Sequence, residues 1–112
     1  MWSKEMIGAS TVPIILSVLS RGENYGYAII REVAAISGEK LEWSEPMLYP
    51  VLHRLEKQGH VQSQWKVLEN GRKRKYYAIT DLGRELLHSK KQEWMEMIGV
   101  MGQLWQLKLK DL

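Results

Sequence analysis

The sequence predicts a mainly α-helical protein of the α+β class, with one small β-hairpin. Three observations support this prediction. Segments with helical apolar spacing come first, two strand-like segments around an Asn-Gly dipeptide follow, and a long amphipathic segment ends the chain. A length of 112 residues is enough for one hydrophobic core and not for two.

The first helix is predicted over residues 11–19. Thr11 is a suitable N-cap, and Pro13 is tolerated in the first turn. An earlier start near Ser3 would place Pro13 inside the helix and kink it. The apolar residues at helical spacing are Val12, Ile15, Leu16 and Leu19.

Two more helices are expected before the hairpin. A helix over residues 25–36 is predicted to turn four side chains inward: Ile29, Ile30, Val33 and Ile36. The alternation at residues 41–43 predicts a short strand. Ser44 is then a good N-cap for a third helix, which carries Pro46 in its first turn and stops at Gly59.

The hairpin is predicted from strand-like residues 61–68 and 74–79, with Asn70-Gly71 as the turn signal. A two-residue turn pairs Trp65 with Tyr76. A three-residue bulged turn shifts this pairing by one residue and turns the other face inward. Both turns fit the sequence, so the sequence does not decide which face of the hairpin is buried.

Thr80 is expected to cap a final helix over residues 81–110. Three helices, a hairpin and a last helix are the order of a winged helix-turn-helix. We therefore expect residues 1–80 to form a DNA-binding domain of this type. Residues 81–112 are expected to form a long C-terminal dimerisation helix, packed with the rest as one compact unit.

Charge and composition narrow the class of protein. The net charge is +3, and residues 54–75 concentrate it, with 7 basic side chains against 2 acidic ones. Such a segment can attract phosphates. The lack of cysteine excludes disulfides and fits a reducing cytoplasm. With no apolar run of ~20 residues and no signal-peptide layout at the N-terminus, we expect a cytoplasmic protein without a membrane partner.

The third helix is the candidate recognition helix. One stripe is apolar and should face the core: Leu48, Val51, Leu52 and Leu55. The other faces of this helix and the residues next to it carry cationic and hydrogen-bonding side chains. An α-helix also fits the ~12 Å width of the major groove. A solvated helix face would explain any single one of these side chains. The candidate contacts to double-stranded DNA are Tyr25, Ser44, Tyr49, Pro50, His53, Arg54 and Lys57.

The hairpin is the second candidate for contact with DNA. Four consecutive cations follow its turn without an acid among them. A charged edge can also serve to prevent sheet-to-sheet aggregation, but a run of four exceeds what that needs. We therefore expect phosphate or minor-groove contacts from Arg72, Lys73, Arg74, Lys75 and Tyr76.

The last helix carries two neighbouring apolar stripes. One consists of Leu87, Trp94, Ile98, Met101 and Trp105, and the other of Leu86, Met97, Val100, Leu104 and Leu107. One stripe can cover the domain's own core. The other stripe of a helix ~45 Å long then needs a further apolar surface to pack against. A second copy of the chain is the simplest supply. The expected dimer interface is Ile15, Leu87, Trp94, Ile98, Met101 and Trp105.

Enzyme chemistry is not expected. The three histidines are scattered along the chain, and none pairs with a nearby nucleophile. His53 and Glu56 are spaced as metal ligands, but a third ligand is missing. No glycine-rich phosphate loop is present. The sequence thus predicts neither a catalytic site nor a metal or cofactor.

The ordered motifs resemble the PadR family of transcriptional regulators over roughly residues 14–87. They read LSVL with YGYAI, then LYPVLHRLE with Gly59, then GRKRKYYAIT with Gly83. His60 and Pro13 depart from the family's pattern. The resemblance implies a homodimeric repressor that binds partly palindromic operators. It also implies a planar hydrophobic ligand held at the dimer interface by Trp94 and Ile98, although core packing explains Trp94 equally well. The alternative function is a winged-helix protein-interaction module without a nucleic-acid role.

Overall fold

The computed structural model describes residues 2–106. Their helices and strands are, in order, α1 (Lys4–Ser20), β1 (Asn24–Tyr25), α2 (Gly26–Ile36), α3 (Glu45–Lys57), β2 (Val61–Val67), β3 (Lys73–Ile79) and α4 (Asp81–Leu104). The strands form one antiparallel sheet in the order β1-β3-β2. This is the predicted mainly α-helical winged helix-turn-helix with a long C-terminal helix.

Helix α1 begins earlier than the sequence predicts. Ser3 caps it by accepting a hydrogen bond from the Met6 amide at 3.2 Å, so Pro13 lies inside the helix. Thr11 is not the cap: it is buried, and its hydroxyl donates to the Ile7 carbonyl at 2.7 Å. The predicted start at residue 11 was wrong because Ser3 caps the helix and Ile7 of the added turns packs against the core.

The segment between α2 and α3 differs from its prediction. Residues 41–43 form no strand, although Leu41 and Trp43 are both buried in the core. Their alternation marks which side chains point inward; the place beside β3 is taken by β1 instead. Ile36, expected inside, is 65% exposed at the end of α2.

The hairpin uses the three-residue turn. Trp65 pairs with Lys75, and the Leu68 amide donates to the Arg72 carbonyl at 2.7 Å. Gly71 closes the turn at φ 83°, a left-handed conformation that suits glycine. This register puts Tyr77 on the buried face. The sequence does not decide which face of this hairpin, called the wing below (residues 61–79), points inward. The observed register decides it.

The core lies between the helices and the inner face of the sheet. Its fully buried side chains come from α1, α2, α3 and the hairpin: Ile15, Leu16, Leu19, Ile29, Leu48, Leu52, Leu55, Val61 and Tyr77. Burial of each aliphatic side chain contributes about 1.5–3 kcal/mol. Ile15 is 0% exposed within a single chain. The expectation that it contacts a partner was wrong, because it has no surface left to offer.

Helix α4 gives the molecule an elongated shape, with extents of 56 × 29 × 23 Å. Several of its apolar side chains remain exposed: Met95, Met97, Val100, Leu104 and Trp105. The helix ends at Leu104, with Trp105 as its C-cap and Gln106 at φ 60°, so the predicted helix over residues 81–110 was too long. Leu107 of the second stripe lies outside the described residues. No helix within residues 2–106 has the length and apolarity that crossing a membrane requires.

Candidate nucleic-acid interface

A cleft of about 520 Å³ lies between α3, the start of α2 and the wing. Half of the twelve predicted DNA-contacting residues line it: Tyr25, Tyr49, His53, Lys73, Arg74 and Lys75. Four other residues of the cleft were not predicted from the sequence: Tyr27, Glu45, Trp65 and Tyr77. The position of Trp65 depends on the turn parity, which explains why it was missed.

The outer face of α3 carries the other predicted contacts of this helix. Pro50 and Lys57 are exposed there. Arg54 is exposed too, but it lies on the opposite flank of α3 and borders a depression next to α1. Ser44 is the N-cap of α3 and accepts from the Met47 amide at 3.4 Å. Its hydroxyl oxygen is therefore already used in holding the helix start.

The four cations of the wing separate into two pairs. Arg72 and Lys73 are exposed at the tip. Arg74 lies over the Tyr25 ring, 4.0 Å from its centroid. Lys75 points to the inner face, where its Nζ is 5.5 Å from the centroid of the Tyr77 ring. The tip pair is free to follow a phosphate backbone, whereas the other two are oriented by aromatic rings.

Tyr76 lies on the outer face of the wing. Its ring meets Tyr25 edge-on at a centroid distance of 5.4 Å. Nζ of Lys66 lies 4.6 Å from the centroid of the Tyr76 ring and forms an ion pair with Glu23. These contacts attach the wing to the segment before α2 and orient Arg74 at the cleft edge. Tyr76 itself does not line the cleft.

Two tyrosines form part of the cleft wall. Burial, with a smaller effect from the Glu45 charge, raises the pKa of Tyr49. Burial also raises the pKa of Tyr77 to about 12, with the Glu56 and Tyr49 charges adding to the effect. Both hydroxyls are therefore protonated donors near neutral pH. A Cβ at Gly26 would lie 2.5 Å from the Tyr49 hydroxyl, so the glycine leaves room for this ring.

A second, mostly apolar groove of about 380 Å³ lies between α1 and α4. Pro13, Ile14, Ile36 and Trp94 are among its lining residues, and Leu87 forms part of its floor. Trp94 is half-buried in a single chain. The other predicted interface residues, Ile98 and Met101, are half-buried, while Trp105 is 62% exposed.

No group of three or more His, Cys, Asp or Glu side chains comes together as a metal site within the part of the chain that the structure describes. The two features that stand out are thus the basic, aromatic cleft and the apolar groove. The first suits a polyanion and the second an apolar partner.

Comparisons with known proteins agree with this geometry. The fold is similar to the solved structure of a transcriptional regulator from Clostridium thermocellum, with 32% identity and a TM-score of 0.81, covering 89% of this chain and 97% of that one. A PadR-like transcriptional regulator from Bacillus cereus gives 31% identity and a TM-score of 0.80, with coverage of 94% and 100%. “Uncharacterized protein X” of Lysinibacillus sphaericus is 36% identical over 84 residues, which are 75% of this chain and 77% of that protein.

The family match covers most of the fold described above. Residues 15–89 match the transcriptional regulator PadR-like family. They include the candidate recognition helix, the wing and the start of α4. Because the members of this family are transcriptional regulators and not enzymes, the prediction of a non-catalytic protein is confirmed. The chain belongs to the PadR-like family of DNA-binding transcriptional regulators.

Proposed function

We propose that the protein is a cytoplasmic, homodimeric repressor that binds double-stranded DNA through α3 and the wing. The observation that carries the proposal is the cleft where His53 of α3 faces Lys73 of the wing. In this arrangement α3 enters the major groove and the exposed wing tip follows the phosphates or the minor groove. Repression follows when the bound dimer covers sequence that the transcription machinery needs.

The wing tip provides a direct test of DNA binding. Lys73→Ala removes one exposed cation, so the slope of log affinity against log salt should fall by ~0.9. The loss should be about equal for all sequences, since phosphates carry no base identity. Binding is measured by fluorescence anisotropy on labelled random duplex at several salt concentrations.

Lys40→Ala is the matched control, because Lys40 is an exposed lysine beyond the C-terminal end of α2 and does not line the cleft. It should leave the salt slope unchanged. An unchanged slope for Lys73→Ala would contradict the assignment of the wing. No binding by the wild-type protein at low salt would contradict the function itself.

We assign residues 1–80 to DNA binding and residues 81–112 to dimerisation. Support comes from the apolar side chains of α4 that one chain leaves exposed, including Met97 and Val100 at 56% and 57%. An exposed apolar surface of this kind is usual at interfaces. A two-fold dimer would also place two recognition helices on successive turns of DNA.

We further propose that a planar, hydrophobic ligand relieves repression by binding at Trp94 and Ile98. The apolar groove beside Trp94 supports this proposal. Aromatic rings bury a large area and stack on flat molecules. Induction requires the ligand to prefer a dimer geometry whose recognition helices no longer match the half-site spacing.

Trp94→Ala should abolish binding of a neutral planar dye while the protein stays dimeric, because the stacking surface is lost and most of the interface remains. Dye anisotropy measures binding, and sedimentation measures the assembly. Trp65→Ala on the wing is the control and should bind the dye normally. A monomeric Trp94→Ala protein would instead identify Trp94 as interface core.

A further inference from the structure

Glu56 connects the recognition helix to both strands of the wing. Its carboxylate accepts a hydrogen bond from the Ser63 hydroxyl of β2 at 2.5 Å. The same carboxylate lies 4.0 Å from Nζ of Lys75 on β3. Ser63 in turn pairs with Tyr77 across the hairpin. One side chain near the end of α3 thus reaches the strand on either side of the wing.

An acid at this position has an electrostatic disadvantage for binding DNA. It lies within the short segment that carries most of the excess positive charge, and it is only partly screened, at 33% exposure of its side chain. A carboxylate there repels phosphates and weakens the attraction of Lys75 for them. Its contacts therefore point to a benefit other than affinity for a polyanion.

That benefit is geometric. The hairpin follows α3 through the short connection at residues 58–60, and its tip is exposed. A hydrogen bond to a charged acceptor is stronger and more directional than one between neutral groups. The bond from Ser63 to Glu56 therefore restricts the angle between the wing and the recognition helix.

We propose that Glu56 is a positioning residue for sequence recognition, which holds the wing at a fixed angle to α3 so that both engage one operator geometry. The role rests on the proposed DNA binding. Specific binding needs both elements in register, whereas non-specific binding tolerates many wing angles. Glu56 therefore strengthens specific binding and weakens non-specific binding at the same time.

Three substitutions separate the geometric role from the charge. Glu56→Gln removes the charge but keeps an oxygen that accepts from Ser63. Ser63→Ala keeps the charge and removes the hydrogen bond. Glu56→Ala removes both. Each variant is titrated against two duplexes of equal length: one recovered by the wild-type protein from a random library, and one of random sequence. Thermal unfolding of each variant shows that it is folded at the assay temperature.

The two duplexes should respond in opposite directions. Glu56→Ala should bind the selected duplex about tenfold more weakly, the usual effect of one lost hydrogen bond to a charged group, and should bind random duplex more tightly. Ser63→Ala should lose affinity only for the selected duplex. Glu56→Gln should keep its affinity for the selected duplex and should bind the random duplex more tightly.

Two results would overturn the positioning role. If Glu56→Ala tightens binding to both duplexes, the residue acts through its charge alone. If it weakens both, it only supports the fold. A wild-type protein that recovers no preferred duplex would refute the proposed DNA binding itself, and the positioning role with it.

Discussion

Gly83→Ala is expected to lower the free energy of unfolding by about 3 kcal/mol, the upper end of the usual range for overpacking. A Cβ at this position would overlap the carbonyl oxygen of His60 and lie 2.7 Å from Cγ1 of Ile79. His60 cannot retreat easily, because its carbonyl accepts from the Thr80 amide at 3.1 Å and its own amide donates to the Leu55 carbonyl at 2.9 Å. The start of α4 would have to move away from the sheet.

Thermal unfolding measures the effect of Gly83→Ala, and the midpoint should fall by roughly 10–20 °C. The matched control is Gly99→Ala on the same helix, where nothing lies within 4 Å of the added Cβ. There the higher helix propensity of alanine should raise stability by about 0.5–1 kcal/mol. The same substitution on one helix is thus expected to act in opposite directions. Equal effects at both sites would contradict the close approach at Gly83.

Gly83 lies at the junction between the start of α4 and the end of α3, and the sequence predicts this junction only in part. Thr80 was expected to cap α4, and its hydroxyl accepts from the Gly83 amide at 3.0 Å. The same hydroxyl also donates to the Gly59 carbonyl at 2.6 Å, which joins the cap to the end of α3. A cap follows from local sequence, whereas this second bond depends on tertiary structure.

The same difference between local and tertiary signals explains which other elements of the fold were predicted from the sequence and which were missed. The third helix was predicted well, since Ser44 and the apolar stripe ending at Leu55 give independent, local signals. Strand β1 was missed because two residues, Asn24 and Tyr25, carry no periodicity. Ile36 has the spacing of a core residue, but its side chain lies where α2 ends, beside the groove.

For the candidate interface, the sequence predicted which residue types gather but not how they are oriented. The cations of the wing are evident from composition. That Arg74 stacks on Tyr25 while Lys75 turns inward depends on the strand register. The contact between Glu56 and Ser63 crosses from a helix to a strand, and periodicity within either element cannot predict it.

Ile98→Glu is expected to dissociate the proposed dimer and to lower affinity for the selected duplex on the order of 100-fold, since two linked half-site contacts become independent. Ile98 is half-buried on α4 and shares a stripe with Trp94 and Met101. Sedimentation measures the assembly and anisotropy the binding. Affinity for a random duplex should fall far less, because one domain is enough for phosphate contacts.

Gln92→Glu is the matched control for Ile98→Glu, because it adds the same charge to an exposed position of the same helix. In a two-fold interface every substitution occurs twice, so Ile98→Glu would bring two carboxylates into one apolar contact. Burying an unpaired charge is costly, and the pair would also repel each other. Gln92→Glu introduces its charge in water and should remain dimeric with normal binding. An Ile98→Glu protein that stays dimeric would place the interface elsewhere than on this stripe of α4, and the half-site geometry of the proposed repressor would then have to come from another surface.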